Sequence, residues 1–183
     1  MHINPKIRLT GLFAALCMIW SLTAPADWQP GNNDQLELSV AQAILKAKEK
    51  DPGLQAWFDS AAGYAVFPKV GKAGFGVGGA RGTGLLIQGD QTLGEVTLTQ
   101  LTVGLQLGGQ VYMEFIFFKD QANLTTFKEG NFEMGAQVSA VALTAGASAD
   151  ANYSKGVAVF TIAEGGLMYE ASVGGQKFKY TAR

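Results

Sequence analysis

Three cations and a run of glycines are the residues best placed to do chemistry. Lys69, Lys72 and Arg81 bracket a stretch in which six glycines fall within eleven residues: Gly74, Gly76, Gly78, Gly79, Gly82 and Gly84. A short apolar strand, Tyr64–Phe67, precedes them and is stopped by Pro68. Lys69, Gly71 and Lys72 then form a basic turn. Such a glycine density excludes a helix, because each glycine costs about 1 kcal/mol relative to alanine in a helix interior. In a strand, glycine marks a bend, a bulge or a close approach of another group. Ala62–Ile87 therefore predicts a bent hairpin with a basic mouth.

Other chemistry is mostly excluded. The run contains a formal GxGxxG, Gly74–Gly79, but Ala80–Gly84 (ARGTG) follows, where a dinucleotide site needs a helix. Gly71-Lys72 is followed by Ala73 and lacks the upstream glycine of a P-loop. Glu114 sits inside the apolar run Val111–Phe118, so it is either exposed on a strand face or buried with a partner such as Arg81 or a lysine. The remaining carboxylates are scattered at turns and strand ends, and none stands out as half of a glycosidase pair.

The N-terminus carries an export pattern. Lys6 and Arg8 form a basic region, Leu9–Leu22 an apolar one too short to span a bilayer comfortably, and Ala24-Pro25-Ala26 a cleavage signal. Residues 1–26 are expected to be a signal peptide, with an uncleaved anchor as the alternative; lipidation at Cys17 is disfavoured by Leu16. Cleavage would remove His2 and Cys17, the only histidine and cysteine of the 183 residues. The mature chain then has no Ser-His-Asp triad, cysteine nucleophile, His/Cys zinc site or disulfide. No catalytic residues, metal or cofactor are expected. Lys6 and Arg8 leave too, so 12 of the 14 basic residues face 15 acidic ones, a net charge of −3. That balance speaks against nucleic-acid binding, which needs a concentrated basic face.

The elements that must position the cations follow from periodicity. Residues 27–33 are a polar linker. Leu36, Val40, Ile44 and Ala47 give Asp34–Lys50 an amphipathic helix capped by Asp34 or Asn33, with Lys46, Lys48 and Lys50 near its end. Asp51-Pro52 starts a second helix to Ser60, placing Trp57 and Phe58 in the core. Strands are expected at Leu93–Thr99 after a Gly89–Gln91 turn, along the alternating Leu101–Leu107, and at Val111–Phe118 after a turn at Gly108-Gly109. Asp120–Lys128 predicts a short helix ended by Gly130. Phe132–Ala147 with a bend near Gly146, Val157–Ile162, Leu167–Val173 and Lys177–Thr181 complete the strands, with turns at Glu164–Gly166 and Gly174-Gly175. The fold class is α+β: two N-terminal helices on a strongly curved, mostly antiparallel, barrel-like sheet of about eight or nine strands. Residues 34–183 form one domain.

Three ordered blocks carry a family resemblance: the apolar strand, F-P, basic turn, GxGxGG and RGxG of the first; Leu101–Phe118 (LTVGLQLGGQVYMEFIFF); and Phe127–Lys155 with its continuation to Phe178. Together they resemble the SYLF-domain family, the lipid-binding module shared with yeast actin-patch proteins, over roughly residues 40–180. The resemblance implies a non-enzymatic protein that binds phospholipid or another amphiphile. Lys69, Lys72 and Arg81 match its basic first block and would contact the headgroup. Gly74 and Gly76 would expose backbone N–H groups to an anion, and Phe75 would dip into the acyl boundary. Eukaryotic phosphoinositide and actin binding are not carried over to an exported chain without a partner domain such as SH3.

The expected location is the periplasm or envelope, with secretion as the other outcome. Two further readings stay open: an envelope assembly or structural protein acting through strand edges or an envelope protein partner, and a small outer-membrane β-barrel.

Overall fold

A computed structural model describes residues 27–31, 34–129, 132–135, 138–165 and 173–183. The signal-peptide assignment, Gly130 and the expected strand Leu167–Val173, apart from Val173, lie outside the described residues.

The first helix, α1 (Gln35–Lys50), is capped by Asp34, whose carboxylate accepts from the N–H groups of Leu36 and Glu37 at 2.8 and 3.0 Å. Its buried stripe is Val40, Ala43, Ile44 and Ala47. Asp51 ends α1 and caps the 3-10 turn Pro52–Leu54, which runs into α2 (Gln55–Ser60). Asp51 is nearly fully buried and also accepts from Ser148 N–H at 2.8 Å, fixing this corner to a segment far along the chain.

Two long strands dominate: β1 (Gly63–Gln88) and β2 (Gln91–Phe118), antiparallel along their whole length and joined at Gly89-Asp90. Gly89 has φ +59°, the left-handed conformation such a tight turn needs. Helix α3 (Gln121–Lys128) follows, capped by Asp120 through Asn123 N–H at 2.9 Å, with Leu124 and Phe127 buried. The short strands β3 (Phe132–Glu133) and β4 (Ala140–Ala142) precede β5 (Val157–Gly165) and β6 (Gln176–Ala182). The sheet order is β3-β6-β2-β5-β4, with β1 on the other side of β2; all pairs are antiparallel except β4 with β5.

Strands β5 and β6 both pair with β2: Gln100 faces Gln176 and Tyr112 faces Ala163, and the β5 pairing shifts by one residue between Tyr112 and Val111. The sheet is also doubled over. A Cβ on Gly82 would lie 2.9 Å from Val70 Cγ2, and one on Gly84 would strike the carbonyl oxygen of Val66. The second half of β1 thus returns against its first half.

Both faces are buried. One carries Phe67, Val70, Leu98, Ile116, Phe118 and Phe178, closed by Leu124 and Phe127 of α3. The other carries Val66, Leu85, Phe115, Phe117 and Phe160 under α1 and α2. There Trp57 and Phe58 are half-buried, their rings 5.9 and 5.0 Å from that of Phe117. The C-terminus is tied back: Arg183 bridges Asp34 at 2.6 Å, Glu37 at 3.1 Å and Glu95 at 2.8 Å.

The α+β class and the mostly antiparallel sheet match expectation, whereas the barrel-like form and the strand count do not. The described sheet is an open path of six strands, and α3 joins the two N-terminal helices. The lower count has a physical cause. Expected strands on either side of Pro68 and of Gly108-Gly109 are continuous. The sheet absorbs Pro68 at a register shift between Phe67 and Val70, and Gly108 and Gly109 pair with Gly74 and Ala73 without turning. The expected long strand Phe132–Ala147 is instead β3 and β4, with the bend at Gly146 (φ +81°) as anticipated.

Candidate functional site

The doubling of β1 gathers cations that are far apart in an extended strand. Lys69, Lys72 and Arg81 line one cleft of about 830 Å³, together with Ala80, Thr99 and Gln110. Lys72 and Gln110 are cross-strand partners, as are Arg81 and Thr99, so both strands contribute. A second cleft of about 810 Å³ runs from this one beneath α1, past Ser39 and Lys46, and shares Lys69, Gly71, Arg81 and Glu164 with it.

Lys72 has the most unusual surroundings of the three. It is 5% exposed and, among the described residues, forms no ion pair or hydrogen bond. Burial holds its pKa below the usual lysine range. A desolvated cation without a counter-charge destabilises the fold, and an anion placed against it removes that cost. Lys69 and Arg81 are likewise unpaired among the described residues. Gln110, which also lines the cleft, is 8% exposed; its amide oxygen is buried and has no hydrogen-bond partner.

The structure brings together the three expected cations but changes the part played by the glycines. Lys69–Lys72 is strand, not turn, and Gly74 pairs with Gly108 inside the β1–β2 ladder. The ladder takes up the N–H groups of β1 that face β2, so the glycines do not form the exposed turn expected of them. Gly76 lies at a register shift between Phe75 and Val77. The side chain of Phe75 lies outside what the structure describes.

Gln110 and Glu164 were not legible as site residues. Glu164 was expected at a turn but lies in β5, where its carboxylate accepts from Lys46 Nζ at 2.8 Å. The alternation of β2 could have placed Gln110 on one face, but only the register shows that this face holds Lys72.

Glu114 shares its face of the sheet with Gln110 and Lys72, but none of the cations expected to pair with it does so among the described residues. It is fully buried, and its partner is Gln176, whose Nε2 donates to Glu114 Oε2 at 2.9 Å and lies 3.4 Å from the Tyr112 hydroxyl. Glu114 Oε1 has no partner. Burial pushes the Glu114 carboxyl up to about 8, and the Gln176 hydrogen bond offsets this only in part. The group is neutral over most of the acidic and neutral range.

Among the described residues no group of three or more His, Cys, Asp and Glu could hold a metal ion, and no helix is long and apolar enough to cross a membrane.

Residues 99–181 match the family model described as Ysc84, Las17-binding protein actin regulator. The chain is 30% identical over 139 residues to Beta cell expansion factor A of Aeromonas veronii, an overlap covering 74% of this chain and 52% of that protein. The chain therefore spans about half the length of the curated relative it matches.

Proposed function

The chain belongs to the Ysc84, or SYLF, family through residues 99–181, and on that premise we propose that it is a non-enzymatic, exported protein that binds phospholipid headgroups at the cell envelope. Membership of the family points to lipid binding. The single observation that supports the headgroup assignment is the cleft lined by Lys69, Lys72 and Arg81, in which a nearly buried lysine lacks any acidic partner among the described residues. A phosphate is the natural complement. It accepts several charge-assisted hydrogen bonds at once and offsets the desolvation of Lys72.

The export reading rests on the N-terminal pattern of Lys6, Arg8, Leu9–Leu22 and Ala24-Pro25-Ala26. Actin regulation is part of the family model's description and is not proposed for this chain. An outer-membrane barrel is less well supported, because a spanning barrel needs a closed sheet with one face toward lipid. Here the described sheet is open, and its two faces carry α1 and α2 on one side and α3 on the other.

Co-sedimentation with vesicles tests the proposal. Binding to phosphatidylglycerol-containing vesicles that weakens with added salt is expected, with little binding to pure phosphatidylcholine, because exposed charge contacts are screened. Equal, salt-insensitive binding to both would shift the reading to an apolar cavity. No binding to either would favour an assembly role through strand edges.

A further inference from the structure

Glu164 distinguishes this site from a plain anion trap. Glu164 lines both clefts, as do Lys69 and Arg81. One oxygen receives Lys46 Nζ at 2.8 Å. The other has no partner among the described residues, and the side chain keeps 28% of its surface. A carboxylate in this position repels a simple phosphate. It becomes favourable when the ligand carries a cation of its own.

We propose that the cleft takes a phosphoester bearing a primary ammonium group, of the phosphoethanolamine type. The phosphate lies on Lys69, Lys72 and Arg81, and the ammonium donates to Glu164. This inference rests on the anion-binding reading above and adds what selects the ligand. Lys46 is no obstacle. Its side chain is 50% exposed, and such surface pairs are weak enough to exchange for an incoming ammonium. A primary ammonium can donate hydrogen bonds to a carboxylate; a quaternary choline cannot.

The test compares glycerophosphoethanolamine, glycerophosphoglycerol and inorganic phosphate by calorimetry on the full chain. In parallel, vesicles of phosphatidylethanolamine or phosphatidylglycerol in phosphatidylcholine are compared by co-sedimentation. The expected result is a preference of roughly two- to five-fold for the ethanolamine ester, the size of a partly exposed ion pair. Glu164→Gln should abolish that preference. Lys46→Gln breaks the same salt bridge but leaves the carboxylate, and should keep or raise the preference. This separates loss of the ion pair from loss of the selecting group. Equal affinity for the two esters, or a preference unmoved by Glu164→Gln, overturns the inference and leaves the anion reading standing. Failure of all three soluble probes and both vesicles removes the anion reading itself. Preference among the soluble esters without vesicle binding supports the chemistry and assigns it to a soluble phosphoester.

Discussion

Gln176 Nε2 sits 2.9 Å from Glu114 Oε2, joining β6 to the C-terminal part of β2 across 62 residues of sequence by an amide and a fully buried carboxyl. Burial favours the protonated acid, and this one hydrogen bond offsets it only in part. A neutral acid tolerates a single amide donor, whereas a buried carboxylate would need more hydrogen bonds or a cation.

Stability should therefore depend on pH through Glu114. The folded-state value is about 8 against an ordinary 4.5. Below the ordinary value both folded and unfolded chains hold the proton, and the contribution of Glu114 is at its most favourable. Between the two values only the folded chain holds it, so stability falls as pH rises and levels off above about 8. The total loss is on the order of a few kcal/mol. Urea titrations of the wild type from pH 4 to pH 9 would show this fall, and Glu114→Gln should flatten it. An unchanged slope in the variant would show that Glu114 does not carry it.

Lys72→Met should separate binding from stability. The substitution keeps an apolar stem in a nearly buried position and removes a charge that burial disfavours. The variant is expected to match or exceed the wild type in thermal midpoint while binding anionic vesicles more weakly. Replacing Lys69, Lys72 and Arg81 together with alanine should weaken binding roughly ten-fold or more, since contacts to charged groups are each worth more than neutral ones. Vesicle co-sedimentation and thermal melts on the same preparations check both statements. Undiminished binding by a folded triple variant would remove these residues from the site.

Much of the fold could be read from local signals. The caps at Asp34, Asp51 and Asp120 carry their helices as residue type and spacing imply. The turns at Gly89 and Gly175 both fall at left-handed glycines. Strand ends were misread where glycine has two meanings. Gly108-Gly109 looks like a turn, yet Gly74 and Ala73 lie opposite and the ladder continues through it. Pro68 looks like a stop, but β1 has no strand paired on its other side at that point, so the missing N–H removes no ladder bond. The three cations were legible as a cluster because they flank one glycine run. Glu164 was not, because Lys46, its partner, is 118 residues away. The Gln176 partner of Glu114 was hidden by the same kind of separation.

Gly84→Ala and Gly71→Ala should behave as opposites. A Cβ at Gly84 would collide with the Val66 carbonyl oxygen and approach Phe67 Cδ1 at 2.8 Å, where backbone and core ring have little room to yield. A Cβ at Gly71 meets nothing within 4 Å. Gly84→Ala is expected to cost about 1–3 kcal/mol, the range for overpacking, and more if the doubled strand must open. Gly71→Ala should stay within about 0.5 kcal/mol of the wild type. Denaturant midpoints for the two variants check the difference. Because the doubling brings Arg81 to Lys69 and Lys72, Gly84→Ala should also weaken anionic vesicle binding under conditions where the protein is still folded. Equal stability of the two variants would mean that the halves of β1 do not pack together as the Gly84–Val66 approach requires.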